Sequence, residues 1–177
     1  MKLHIGSGER YLNGYKHVDI IQRPHIDFIA DACKLSFLDD RSVEEIYASH
    51  VLEHFTRDEV EGVLCEWWRV LRWGGVIRLA VPDFAAITAE YVSGKDLDIL
   101  LGLLYGGQNY EYNFHYQTYD FKRLEKLLNK VGFVDVREYD WRGFLPEGYD
   151  DFSKAYLPHM DFENGRLMSL NIEAMKG

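Results

Sequence analysis

The stretch "KLHIGSGER", Lys2 to Arg10, decides the fold. A short apolar run, "KLHI", passes directly into Gly6-Ser7-Gly8. A strand that ends in Gly-x-Gly lets the backbone come close to a nucleotide-like ligand, because glycine has no side chain to collide and accepts dihedrals that other residues avoid. Taken alone, the same turn also reads as an ordinary tight bend. A dinucleotide fingerprint would place a third glycine three residues after the second, and an acid about 20 residues on. Here Tyr11 stands in the first place and Asp19 comes much sooner, which disfavours a nicotinamide or flavin site.

Working outward, "KHVDI" follows the Asn13-Gly14 turn signal and ends at Asp19-Ile20. "IDFIAD" (Ile26 to Asp31) and "EEIYAS" (Glu44 to Ser49) are the next strand candidates. Thr56 and Glu59 form a T-x-x-E capping box for a helix whose Val60, Val63, Leu64, Trp67 and Leu71 recur at helical spacing, with Gly74-Gly75 as its stop. "VIRLAVPD" reads as a buried strand, Asp83 as the cap of a helix over Phe84 to Val92, and "LDILLGLLY" as a second short helix. Asp120 caps "FKRLEKLLNKV", Gly132 ends it, and the strand "FVDVREY" follows. The tail "LMSLNIEAM" alternates Met168, Leu170, Ile172 and Ala174 against Ser169, Asn171 and Glu173, which predicts a last strand with one less buried side. Strand-helix alternation of this kind predicts a mostly parallel sheet covered on both faces.

At 177 residues the chain has the size of one domain, and no repeat or linker divides it. A composition of 47% hydrophobic and 28% charged residues fits a globular protein, and no apolar run approaches the roughly 20 residues that span a bilayer. The start "MKLHIGSG" breaks into glycine before an apolar signal core forms. Cys33 and Cys65 are distant and belong to no C-x-x-C pair, so the expected setting is the cytoplasm. A net charge of -9 disfavours a phosphate backbone, and hence nucleic acid, as a partner.

Asp19, at the end of the second strand, is placed to accept both hydroxyls of a ribose, and Asp31, at the end of the third, to accept from an exocyclic adenine amine; both also suit turns or helix caps. With these residues in order, the chain resembles the class I S-adenosylmethionine-dependent methyltransferases, in the subgroup related to small-molecule methylation. "LHIGSGE" is similar to that family's first motif, "HVDI" to its second-strand acid and "ADACKLSFLDD" to its third-strand acid and the turn after it. "IYASHVLEHF" is similar to its fourth-strand motif, "WWRVLRWGGVIRLAVPD" to the helix, glycine turn and fifth strand, and "LEKLLNKVGFVDV" to its late helix and sixth strand. The resemblance implies an α/β Rossmann-like three-layer sandwich: a mostly parallel seven-stranded sheet with an antiparallel last strand. It implies S-adenosyl-L-methionine as cofactor, held by Gly6, Ser7, Gly8, Asp19, Ile20, Asp31, Ala32, Ser49 and His50. Two departures stand out. Arg10 occupies the place of a small residue, and only Glu9 to Lys16 join the first two strands, fewer than the dozen or so residues of an ordinary parallel crossover. A loop or single turn is expected there, and with it a more open cofactor pocket or one closed by a partner subunit.

"SHVLEHF", Ser49 to Phe55, contains His50-x-x-Glu53-His54, the order in which some zinc hydrolases present ligands on a helix. That reading needs a third protein ligand, and His115 and His159 belong to no recognisable ligand motif. "EEIYAS" also runs as a strand right up to His50, so the expectation is no metal, with Ser49 and His50 at a strand end facing the cofactor. Glu53 and His54 are expected to be supporting residues, His54 bonded to a neighbouring loop.

Methyl transfer from a sulfonium chiefly requires alignment of acceptor, methyl carbon and sulfur. A hydroxyl acceptor needs a base as well, for which His115 and Asp83 are the candidates. Residues 94–119 read as an acceptor-site or lid insertion and 140–164 as a long loop, in which Tyr110, Tyr112, Phe114, Tyr116 and Trp141 suit planar or sugar rings. The same aromatics also suit a lid or a homodimer contact. The expected activity is methyl transfer to a small molecule or carbohydrate; a non-catalytic binding module on the same fold, and a zinc hydrolase, are the rivals.

Overall fold

The computed structural model describes residues 1–177. In chain order the elements are β1 (Lys2–Ile5), β2 (Lys16–Asp19), β3 (Phe28–Ile29), β4 (Val43–Ser49), α1 (Val60–Val70) and β5 (Leu71–Pro82). There follow α2 (Phe84–Val92), α3 (Leu97–Tyr105), α4 (Phe121–Val131), β6 (Phe133–Glu138), β7 (Tyr156–Leu157), β8 (Arg166–Leu167) and β9 (Ser169–Lys176). Seven strands make one sheet in the order β3-β2-β1-β4-β5-β9-β6, while β7 and β8 pair separately. The pairs from β3 to β5 are parallel, and β9 runs antiparallel to both β5 and β6. This is the expected Rossmann-like α/β sheet with its antiparallel last strand.

Alternation along the strands sorts the sheet into two unlike faces. Leu3, Ile5, Ile46, Ala48, Ile77 and Leu79 point to one side and join the main core with Trp67 of α1 and Leu124 and Leu128 of α4. His4, His17, Glu45, Tyr47, Arg78 and Asn171 alternate with them and point to the other. That second face is covered not by α-helices but by connecting chain that includes two single 3-10 turns, Trp141–Gly143 and Phe152–Lys154. The crossover from β1 to β2 is a loop whose Leu12 packs with Tyr47 and Leu145. Phe144 lies under Arg78, 4.6 Å from guanidinium to ring centre, and against Tyr47 at 4.9 Å. The short first crossover expected from Glu9 to Lys16 is therefore present, and residues 140–154 supply cover that a helix would otherwise give.

Three local expectations are corrected. Only Phe28 and Ile29 of "IDFIAD" pair as strand: that edge strand has one neighbour, and its last backbone bond to it runs from the Ala30 amide to the Asp19 carbonyl at 3.0 Å. The first helix stops at Val70 rather than at Gly74: Leu71 already pairs with Val43, and the buried Lys176 ammonium donates to the Trp68 and Leu71 carbonyls at 2.7 and 2.8 Å, capping the helix end with a cation. The last strand lies inside the sheet and not at its margin. Its polar residues Ser169 and Asn171 are therefore buried like the apolar ones.

Candidate active site

The carboxyl ends of β1, β2, β3 and β4 frame a crevice of about 410 Å³. At its floor Gly6 has φ +63°, and a Cβ placed there would fall 2.4 Å from a Val51 methyl, so any other residue is strained in backbone and displaces the Val51 side chain. Gly8, at φ +57°, gives its amide to the Asp19 carboxylate at 2.8 Å. The same carboxylate accepts from the Ile21 amide at 2.8 Å and from the Arg23 guanidinium at 3.3 Å. Asp19 thus ties the glycine turn to the loop after β2 and lies on the crevice wall with Ile20. Asp31 and Ala32 line the opposite end; one Asp31 oxygen caps the Cys33 amide at 3.0 Å. Ser7 and Ser49 are buried, line an adjoining cavity of about 710 Å³, and their hydroxyls have no partner within the protein. The two cavities share Gly6, Gly8, Arg23, His50, His54 and Tyr110.

The chain leaves β4 through His50, held in the left-handed region at φ 54° with its amide on the Ala80 carbonyl at 2.8 Å. A non-glycine residue there is strained, and the surrounding contacts must hold it. A single 3-10 turn, Leu52–His54, follows. Onto this turn the distant segment 114–119 is sewn. The Tyr116 amide donates to the Glu53 carbonyl at 2.8 Å, the Gln117 amide group to Phe55 and Thr56 carbonyls at 3.0 and 3.1 Å, and the Tyr119 hydroxyl to Leu52 at 3.3 Å. The result brings His115 beside His54, with 4.9 Å between ring centres. The His115 Nε2 sits 3.9 Å from the Glu53 carboxylate.

Glu53 is fully buried. Burial alone would raise its carboxyl, but His50 at 3.2 Å, with His54 and His115 behind it, outweighs that and holds it below the ordinary glutamate range. Burial pushes the His115 imidazole down, partly offset by Glu53. His50 reaches the Ser169 hydroxyl with its second nitrogen at 3.3 Å, and Ser169 in turn donates to Asn171 at 3.0 Å. A polar chain therefore runs from the crevice into the polar face, through Asn171 and the Ser153 carbonyl at 2.9 Å to Asp151.

Among the sequence candidates for a base, His115 reaches the second cavity and Asp83 does not. Asp83 accepts from the Ala85 amide at 2.9 Å as the cap of α2 and is not among the residues that line the two cavities. The aromatic group also divides. Tyr110, Tyr112 and Tyr116 face the crevice. Trp141 instead packs on Phe162 and lies under Arg142 and Lys154 on the far side. His54 bonds the Phe114 carbonyl at 3.0 Å, as expected of a residue tied to a loop. Glu53 as the centre of a histidine cluster was missed; the only trace of it in sequence is the His-x-x-Glu-His string, and its partner arrives from sixty residues away.

Comparison with known proteins places this geometry. A family model described as a methyltransferase domain matches residues 15–79. A SAM-dependent methyltransferase from Archaeoglobus fulgidus superposes with a TM-score of 0.60 at 16% identity, over 99% of this chain and 85% of its own. A SAM-dependent protein of Thermotoga maritima, described as a possible histamine N-methyltransferase, gives 0.58 at 18% identity, over 99% and 82%. The 1,6-didemethyltoxoflavin-N1-methyltransferase of Burkholderia thailandensis, solved with its substrate and S-adenosylhomocysteine bound, gives 0.57 at 15% identity, over 99% and 70%. At these identities the likeness is one of fold. No curated protein matches the chain in sequence.

Proposed function

We propose that this chain, a class I S-adenosylmethionine-dependent methyltransferase by fold and by the domain match over residues 15–79, methylates a small-molecule or carbohydrate acceptor. The observation that carries the reading is the pair of joined cavities at the carboxyl ends of β1 and β4, one for cofactor and one for acceptor. The residues fit S-adenosylmethionine: Gly6 and Gly8 line the crevice without a side chain, the space beside Gly8 is open, and in the adjoining cavity two buried serine hydroxyls, Ser7 and Ser49, lack partners. Gly6, Gly8, Asp19 and Ile20 would hold the adenosine side, Asp31 and Ala32 its base, and Ser7, Ser49 and His50 the amino-acid portion. When bound, the cofactor supplies a methyl group on a sulfonium, an already activated leaving group. The work left to the chain is orientation, exclusion of water, and management of the acceptor's proton, for which His54 and His115 stand nearest.

Residues 94–119 act as the acceptor-site wall, since Leu103, Tyr110 and His115 reach the second cavity and the tyrosines close over the first. A neutral or cationic small molecule or a sugar suits this site, where the net charge of -9 works against nucleic acid. No helix is long and apolar enough to cross a membrane. Both cysteines are free, which favours a cytoplasmic setting. A homodimer is supported by apolar residues left exposed on α2 and α3, among them Val92 and Leu97.

The test is calorimetry with S-adenosylhomocysteine on the wild type and on Asp19→Ala. The wild type binds with a Kd on the order of micromolar, and the variant, which loses charged hydrogen bonds in the crevice, binds about 10- to 100-fold more weakly. Unfolding transitions of both proteins control for folding. Absence of binding to the folded wild type, or equal affinity in the two, overturns the reading.

A further inference from the structure

We propose that Glu53, His54 and His115 form a binding site for a divalent transition-metal cation, and that this cation presents a hydroxyl acceptor to the cofactor. The second clause rests on the methyltransferase reading above; the first does not. One ligand atom from each of the three residues lies within 4.8 Å of the others. Tetrahedral ligands about 2.0–2.2 Å from a zinc ion stand roughly 3.3 Å apart, so closure of the three around an ion asks for small side-chain movements only.

The hydrogen bonds around the cluster already prepare it. His54 Nδ1 faces the Phe114 carbonyl at 3.0 Å and His115 Nδ1 faces the Leu103 carbonyl at 3.0 Å. A carbonyl only accepts, so each Nδ1 carries the proton and each Nε2 is left with a free lone pair. This is the arrangement by which proteins fix the tautomer of a metal-binding histidine. Glu53 supplies the second, independent observation: it is 0% exposed, and neither carboxylate oxygen has a hydrogen-bond partner. His50 Nδ1 stands 3.2 Å from one of those oxygens, Oε1, as an ion-pair partner without a well-aligned hydrogen bond, and the other oxygen has no partner. A buried carboxylate with one imidazole beside it keeps free lone pairs that a cation would stabilise.

The three side chains are also held on braced backbone. Glu53 is fixed through its carbonyl to Tyr116, and His115 through its amide to the Tyr105 carbonyl at 3.0 Å. A Cβ on Gly106, at φ +76°, would fall 2.5 Å from the Asn113 carbonyl oxygen and 3.1 Å from the His115 ring, so glycine there lets segment 113–115 pack close. The donor set of two imidazoles and one carboxylate is that of an open catalytic site for zinc, and cobalt serves as its spectroscopic substitute. His54 lines both cavities, which puts the fourth coordination position at their junction. The third ligand that the His50-x-x-Glu53-His54 string lacked is thus His115, and His50 is a positioning residue behind Glu53.

In the reaction this implies, His54 and His115 would serve as ligands rather than as bases, and the acceptor hydroxyl at the open position would release its proton to solvent more readily. Its oxygen then forms a bond to the methyl carbon as the carbon–sulfur bond breaks with its electron pair kept by sulfur. The products are a methyl ether, S-adenosylhomocysteine and one proton.

Metal-free full-length protein is titrated with Co2+ alone, read by visible absorbance, and in parallel with S-adenosylhomocysteine by calorimetry. One saturable Co2+ per chain with the intense bands of a four- or five-coordinate site is expected. Glu53→Gln, His54→Ala and His115→Ala should each weaken it by about 100-fold, while His159→Ala, at an exposed position, leaves it unchanged. Glu53→Gln keeps the shape of the side chain and guards against a folding artefact. If S-adenosylhomocysteine binds but Co2+ does not saturate, or saturates equally in all four variants, the metal site is overturned and the methyltransferase reading survives. Saturable Co2+ lost in the three variants without nucleoside binding upholds the metal site and sinks the methyltransferase reading instead.

Discussion

One sheet presents two faces built on opposite principles. On the first, apolar residues from six strands meet α1 and α4, and Trp67 sits fully buried at the centre. On the second, charged and aromatic residues meet loops. Arg78 bridges Glu45 at 2.8 Å and Glu173 at 3.0 Å, and the Tyr47 hydroxyl donates to Asp151 at 2.5 Å across 104 residues of sequence. The difference follows from the shortened crossover. With no helix between β1 and β2 to press on that side, the strands carry polar groups that bond to loops, and loops can be spliced into hydrogen-bond networks as helices cannot. The site stands at the edge where the faces meet, with Gly6 and Val51 belonging to the packed side and His50, Ser169 and Asn171 to the bonded one.

If the faces differ in this way, they should fail differently. Trp67→Ala opens a large cavity in the packed face and removes the indole hydrogen bond to the Ala32 carbonyl, 2.7 Å long, so it should cost about 3–5 kcal/mol in chemical unfolding. Tyr47→Phe keeps the ring and strips one bond from Asp151, which should cost about 1–3 kcal/mol. Equal losses at the two positions would erase the distinction.

The smaller effect is one of pH. Burial, with His17 and His25 adding, pushes His4 down to about 3, from an ordinary value of 6.5. The unfolded chain takes up this proton below 6.5 while the folded chain refuses it, so unfolding binds protons and stability falls as pH falls. Native carboxylates such as Glu53 add to acid loss only below their ordinary value of 4.5. Between pH 6.5 and 4.5 the histidines of the bonded face therefore dominate, His17 being lowered as well by burial. His4→Phe should flatten the melting temperature across that window, and an unchanged slope would remove His4 from the account.

The same contrast explains what could be read from sequence. The packed face was legible because period-two strands and the 3.6-residue repeat of Val60, Val63, Leu64 and Trp67 leave a regular mark, and the glycine turn with Asp19 marks a strand-end crevice. The bonded face leaves none. Nothing local in "SLNIEAM" tells that Ser169 and Asn171 are buried, since their partners are His50 and Ser153. Likewise Asp83 has equal local claims as cap and as base, and the structure shows the cap, through the Ala85 amide. His115 meets Glu53 because Tyr116 and Gln117 bond the turn after β4, a pairing with no periodicity to betray it.

The central claim is that the crevice beside Gly6 and Asp19 receives the cofactor. A crystal structure of the protein grown with S-adenosylhomocysteine tests it most directly. The ribose hydroxyls should lie on Asp19, the adenine near Asp31 and Ala32, and the thioether sulfur toward His50. A nucleoside seated elsewhere, with the Asp19–Arg23 pair and the tyrosines still filling the crevice, would contradict it.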